Sequence, residues 1–94
     1  MKQYKIKITT KFKKQLKKMA SQPHFKQEKL EEVINLLSNN KQLPYKYKNH
    51  LLEPKDNGIW ECHVQPDVLL VYKKIDELLI LILINLDSHS NMFR

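Results

Sequence analysis

Cysteine is nearly absent from this 94-residue chain, and its one instance, Cys62, has no partner for an internal disulfide. Nothing in the sequence therefore asks for an oxidising compartment. Long apolar runs are lacking too. The longest, Leu78 to Ile84, falls far short of the ~20 residues that cross a bilayer. The opening segment, MKQYKIKITTKFKKQLKK, has no apolar stretch of the kind a secretion signal carries. A cytoplasmic location and no membrane association are expected. Repeats, linkers and low-complexity segments are also missing, so residues 1–94 read as a single domain. At 41% hydrophobic residues, such a domain can bury a core without staples.

Acidic residues are absent before Glu28, and arginine is almost absent: 16 of the 17 basic residues are lysine. The net charge of +7 is therefore concentrated in the first quarter of the chain. That field attracts polyanions: nucleic acid, an anionic membrane surface or an acidic protein. A well-solvated lysine surface is the bland alternative.

Residues 3–9 alternate, with Tyr4, Ile6 and Ile8 on one side and Lys5 and Lys7 on the other, which predicts a half-buried strand. Thr9 or Thr10 then caps a helix to about Ala20, with Phe12, Leu16 and Met19 as its apolar stripe. Its opposite face carries Lys11, Lys14 and Lys18. Beyond Pro23, a second helix from about His24 to Ser38 buries Leu30, Val33, Ile34 and Leu37. Residues 41–58 are turn-rich, and Asn57-Gly58, with the only glycine, signals a hairpin. Strands follow at Ile59–Gln65 and Val68–Lys73, joined by a Pro66-Asp67 turn. A charged turn at Lys74–Glu77 leads to Leu78–Ile84, whose unbroken apolar run reads as a central strand covered on both faces. The expected fold is α+β: β-α-α-β-β-β, a twisted antiparallel sheet with a helical hairpin on one face.

Candidates for chemistry lie in the C-terminal half: His50, His63, Asp67 and His89. His63 is out of phase with Trp60, Cys62 and Val64, so it points away from their core stripe. Asp67 follows at the strand end, and His89 lies just past the last strand. Histidine changes charge near neutral pH and suits proton transfer, which RNA cleavage without a metal requires. Each residue also has a plainer reading. His50 in a lysine-rich loop can be surface, and Pro66-Asp67 can be just a turn. His24 reads as exposed, Cys62 as a small buried hydrophobe and Trp60 as packing. Three histidines and an aspartate are enough ligands for zinc, but no HExxH or CxxC spacing occurs and no ligand pair shares a helix. No metal and no cofactor is expected.

The segments Tyr47-Lys48-Asn49-His50, His63-Val64-Gln65-Pro66-Asp67 running into Val68–Tyr72, and Ser88-His89-Ser90-Asn91-Met92-Phe93 together resemble the YafQ branch of the RelE-type bacterial toxins. That family shows Y-K-[DN]-H, then H-[VL]-x-P-D before an apolar strand ending in Tyr, then [ST]-H-x-x-[LM]-F. The likeness spans nearly the whole chain. It implies a RelE-like fold and a ribosome-dependent endoribonuclease that cuts mRNA in the decoding site of the 70S ribosome, silenced by a cognate acidic antitoxin. Carried over, His50, His63, Asp67 and His89 form the acid–base set, with His89 as general acid and the base left open among the others. Phe93 would orient or stack on a base. Lys11, Lys14, Lys18, Lys46 and Lys48 would meet ribosomal RNA phosphates.

The chain departs from that pattern at three positions. Asn85 and Trp60 stand where the family usually has Arg, and Asp87 where it usually has Gly. Asn85 removes the planar cation best suited to a phosphate, so reduced activity is expected. The alternative reading is a weak or inactive homologue that binds antitoxin or ribosome in autoregulation. A generic RNA-binding domain fits less well, because Tyr4, Trp60 and Tyr72 read as core-facing rather than available for stacking.

Overall fold

The computed structural model describes residues 3–53 and 58–88. These form β1 (Lys5–Ile8), α1 (Thr10–Ala20), α2 (Gln27–Ser38), β2 (His50–Glu53), β3 (Ile59–Gln65), β4 (Val68–Ile75) and β5 (Ile80–Ser88). Short 3₁₀ turns at Tyr45–Tyr47 and Asp76–Leu78 precede β2 and β5. The strands make one sheet in the order β1-β5-β4-β3-β2.

The α+β architecture agrees with the expectation, with two differences. His50 begins a strand, β2, rather than sitting in a loop, so the sheet has five strands among the described residues. The sheet is also mixed rather than antiparallel, because β1 runs parallel to β5, pairing Ile6 with Leu81 and Ile8 with Leu83. The two helices carry the chain from β1 to β2 at the far edge, and the antiparallel β2-β3-β4-β5 run brings it back beside β1, a connection long enough for a parallel pair.

Both helices lie on one face of the sheet. Phe12 and Met19 of α1 and Leu30, Val33 and Leu37 of α2 meet Cys62, Val64, Leu70, Tyr72, Leu81 and Leu86 in one hydrophobic cluster. β4 is the strand buried on both faces, since Val68 through Tyr72 are all buried. The double cover expected of Leu78–Ile84 belongs to β4 instead. β5 is interior but alternates, its helix face buried and Ile80, Ile82 and Ile84 half-buried on the other. It also starts later, because the 3₁₀ turn takes Leu78 and leaves Leu79 in the left-handed region at φ 52°. Ile6 and Ile8, expected half-buried, are 44% and 49% exposed because β1 is an edge strand.

Thr9 caps α1 as its position predicts: its hydroxyl accepts from Phe12 N at 2.9 Å. α2 starts at Gln27 rather than His24, and the cap comes from far along the chain. The side-chain oxygen of Gln65, at the end of β3, accepts from Lys26 N at 2.8 Å, and its nitrogen donates to His24 O at 3.0 Å. The same kind of tie fixes β5 where β1 ends. Thr9 Oγ1 donates to Ile84 O at 2.7 Å, and Gln15 Oε1 accepts from Leu86 N at 2.9 Å. Ile84 is the extra residue of a bulge, since Tyr72 pairs with Leu83 and Val71 with Asn85. Helix α1 thus holds the backbone on both sides of Asn85.

Candidate active site

Residues directly opposite on paired strands share a face, and register therefore places the polar candidates. On the face away from the helices, one row runs His50, Glu61, Val71, Asn85 across β2, β3, β4 and β5. The next row runs His63, Leu69, Asp87. Leu69 and Val71 between them are buried, so an apolar floor separates β3's polar groups from those of β5. With strands about 4.8 Å apart, the two sides stand about 10 Å from each other.

His50 is held at both ring nitrogens. Nδ1 lies 2.9 Å from Lys48 O, and Nε2 lies 3.2 Å from Glu61 Oε1. Both neighbours are acceptors, so both contacts are made together only when each nitrogen bears a hydrogen. Glu61 is itself buried, with 4% of its surface exposed. A buried carboxylate of this kind stands where it has a partner. Glu61 was legible in the sequence only as a residue in phase with His63, and nothing marked it as the group behind His50.

His63 and Asp67 line one cleft of about 570 Å³. Lys46 of the 3₁₀ turn and Lys48, which ends it, form part of its wall, and Lys26 and Lys29 at the start of α2 join them. The last two were not anticipated, because the helix start that presents them is set by Gln65. Asp67 also lines a second cleft of about 340 Å³ with Lys18, His24, Asp87 and Ser88. Lys11 and Lys14 are exposed on α1 and line neither of these clefts. His50 lines neither as well; it joins the set through the sheet face it shares with His63. His89 and Phe93 lie outside the described residues, as does Asn57 of the expected hairpin turn; Gly58 is left-handed at φ 83°.

The backbone near the cleft is strained. Lys48 ends the 3₁₀ turn in the left-handed region, φ 46° and ψ 47°, which costs a residue with a Cβ about 1–2 kcal/mol. Tyr72 steadies the approach to β2 by donating to Asn49 Oδ1 at 2.6 Å. Burial pushes the Tyr72 hydroxyl well above its ordinary range. Burial, with the Glu61 carboxylate beside it, also raises the Cys62 thiol to about 12, which suits packing rather than nucleophilic attack. Among the described residues, two buried side-chain oxygens have no hydrogen-bond partner, Tyr47 Oη in the cleft wall and Asn85 Oδ1 on β5. A buried polar group left so costs about 1–3 kcal/mol. Among the described residues, no three His, Cys, Asp or Glu side chains are grouped as a metal ion would need. No described helix is long and apolar enough to cross a membrane.

Together these features define a small basic α+β protein that sets titratable side chains at the mouth of a lysine-walled cleft. The chain belongs to the YafQ family: residues 4–94 match the family described as bacterial toxin of type II toxin-antitoxin system, YafQ. Over 63 residues it is 41% identical to the mRNA interferase toxin YafQ of Escherichia coli K12, covering 66% of this chain and 68% of that protein. Its fold is similar to that of a metal-bound toxin from Helicobacter pylori, with TM-score 0.86 and 36% identity over 96% of this chain and 99% of the other. It is also similar to a chain of the E. coli DinJ–YafQ complex, with TM-score 0.84 and 33% identity over 98% and 100% of the two chains. The fold class and the family resemblance read from the sequence both hold.

Proposed function

We propose that this chain is a single-domain toxin of a bacterial toxin–antitoxin pair that cleaves mRNA on the ribosome by acid–base chemistry, without a metal. The observation that carries the reading is that His63 and Asp67 line the same cleft as Lys46 and Lys48. The name of its E. coli relative, an mRNA interferase toxin, supports the activity. The E. coli DinJ–YafQ complex supports a protein antitoxin as partner, and net charge +7 suits an acidic one. The 70S ribosome with mRNA in the decoding site, in the cytoplasm, follows from the family resemblance.

In this reading His63 takes the proton from a ribose 2′-hydroxyl, and that oxygen attacks the adjacent phosphorus. The bond to the 5′-oxygen breaks, and His89 delivers a proton to the leaving oxygen. A 2′,3′-cyclic phosphate and a 5′-hydroxyl remain. Each positioned acid or base contributes roughly 10²–10⁴ in rate. His50, with both ring nitrogens facing acceptors, orients the reacting groups instead of taking the proton. Asp67 orients the reacting groups, Phe93 stacks on a base, and Lys46 and Lys48 offset charge developing on the phosphate.

One observation favours a second reading, that of a weak homologue retained for binding. Asn85 presents an oxygen with no partner among the described residues where the family has a cation, and Asp87 shares a cross-strand row with His63. Purified chain added to mRNA-programmed ribosomes, with mapping of RNA ends, separates the two. Cuts that vanish with His63→Ala and His89→Ala are the expected result. A folded wild-type chain that pellets with ribosomes and makes no cuts overturns the nuclease reading in favour of binding.

A further inference from the structure

Strand β2 covers only the first part of β3. Its register reaches from Ile59 to Glu61, and from Cys62 to Gln65 the outer edge of β3 has no strand partner among the described residues. The 3₁₀ turn lies along that open edge, and the start of α2 closes it from the other side. The result is the cleft that ends at His63 and Asp67, with lysines on both walls: Lys46 and Lys48 from the turn, Lys26 and Lys29 from the helix. Among the described residues lining it, Asp67 is the one carboxylate against four lysines.

The far wall is built rather than incidental. Gln65 bonds Lys26 N and His24 O, which pins the helix start to the end of β3. Tyr47 packs into the wall on the turn side, 2% exposed, and its hydroxyl has no partner among the described residues. A ligand that satisfies the four lysines carries repeated negative charge along a narrow strand.

We infer that this cleft is a track for the phosphodiester backbone of the substrate RNA strand, with Lys26 and Lys29 as anchors for phosphates beyond the one cut. The inference rests on the nuclease reading for the identity of the strand. It goes beyond that reading in adding Lys26 and Lys29 as contacts to the substrate strand rather than to ribosomal RNA. Continuity with His63 and Asp67 favours RNA over an acidic peptide, since a track needs to end at the reacting groups.

The test is binding of a fluorescein-labelled 2′-O-methyl RNA decanucleotide, which lacks the attacking hydroxyl, measured by anisotropy from 25 to 200 mM KCl. Lys26→Gln/Lys29→Gln leaves the Gln65 bond intact, because that bond uses the Lys26 backbone. Loss of two phosphate contacts lowers the slope of log K against log salt by about 1.4, at ~0.7 per contact for a single strand. Lys5→Gln/Lys7→Gln, at the opposite edge of the sheet, removes the same charge and is expected to change the slope by much less. Lys26→Arg/Lys29→Arg is expected to keep wild-type binding.

Equal losses in the two Gln variants overturn the track, leaving only net charge. Unchanged RNA binding with weakened binding of a glutamate-rich decapeptide overturns it in favour of an acidic protein. Lost pelleting with empty 70S ribosomes, with decanucleotide binding intact, overturns it in favour of ribosomal RNA. If wild-type chain cuts no mRNA while the slopes behave as expected, the nuclease reading fails and the phosphodiester cleft stands.

Discussion

His50 Nε2 lies 3.2 Å from Glu61 Oε1 across the β2–β3 pair, with the histidine side chain 47% exposed and the glutamate 5%. The asymmetry decides what each substitution does. His50→Ala strands a buried carboxylate and is expected to destabilise the chain by about 1–3 kcal/mol. In a Glu61→Gln background the same change leaves a neutral amide, so its cost is smaller. Urea unfolding of the four proteins checks this, and equal costs in both backgrounds would show that the pair is not coupled.

Thr9 joins α1 to β5 through one hydroxyl, which accepts from Phe12 N at 2.9 Å and donates to Ile84 O at 2.7 Å. Thr9→Val keeps the shape and removes both bonds. A lost cap costs about 1 kcal/mol, and an unmet carbonyl raises the total to about 2 kcal/mol. The local effect is more telling than the total. Amide hydrogen exchange is expected to speed up more at Asn85 and Leu86, beside the released bulge, than at Leu81, where β1 still pairs.

How much of this was legible in the sequence depends on whether the cause was local. Thr9 as a cap, the phase that turns His63 away from Cys62 and Val64, and the Pro66-Asp67 turn all act within a few residues, and each was readable. Strand β2 was not, because Asn49-His50-Leu51-Leu52 has no alternation; it is a strand because Trp60 and Glu61 offer it an edge. The parallel β1–β5 pair likewise depends on where the chain arrives after two helices and three strands. Lys26 and Lys29 join the cleft through Gln65, about forty residues away, which no spacing rule reveals. His89 and Phe93 were assigned by family resemblance alone, and their roles stay with the proposal.

Cys62 is fully buried, and its thiol is raised to about 12, first by burial and then by the Glu61 carboxylate. The folded chain is therefore expected to resist iodoacetamide at pH 8 and to react once unfolded in urea. The raised value also sets a sign. The contribution is fully present below pH 9 and is lost as pH rises through the folded value, because only the unfolded chain ionises its thiol there. Between pH 9 and 11 the stability advantage of wild type over Cys62→Ala is expected to shrink by about 1 kcal/mol per pH unit. A constant gap would contradict the assignment.

Lys48 combines a strained backbone, φ 46°, with a charge on the cleft wall. Glycine adopts that conformation without a Cβ clash, though it loses more freedom on folding. Lys48→Gly is expected to equal or exceed wild-type stability by up to about 1 kcal/mol. Its cutting rate is expected to fall at least tenfold, toward the roughly 10²–10³ typical of a lost transition-state partner. Lys48→Ala shares the loss of cutting but is less stable than the glycine variant. A glycine variant that cuts at the wild-type rate would remove Lys48 from the phosphate site.

Asn85 offers the sharpest test of how active this chain is. Its Oδ1 is buried without a partner among the described residues, so replacing the amide forfeits no hydrogen bond to them at that oxygen. Asn85→Arg exchanges that oxygen for a planar cation on a longer side chain, reaching over Val71 toward the β3 groups about 10 Å away. Cutting is expected to rise tenfold or more, and in kcat rather than KM, because the charge it meets develops in the transition state. Asp87 lies two residues along on the same face, where its carboxylate competes for the new guanidinium. Asn85→Arg/Asp87→Gly is therefore expected to exceed the single variant and approach the 10²–10³ gain of a full phosphate partner. If neither variant cuts faster, the four cleft lysines already supply the charge, and Asn85 marks a different solution rather than a loss.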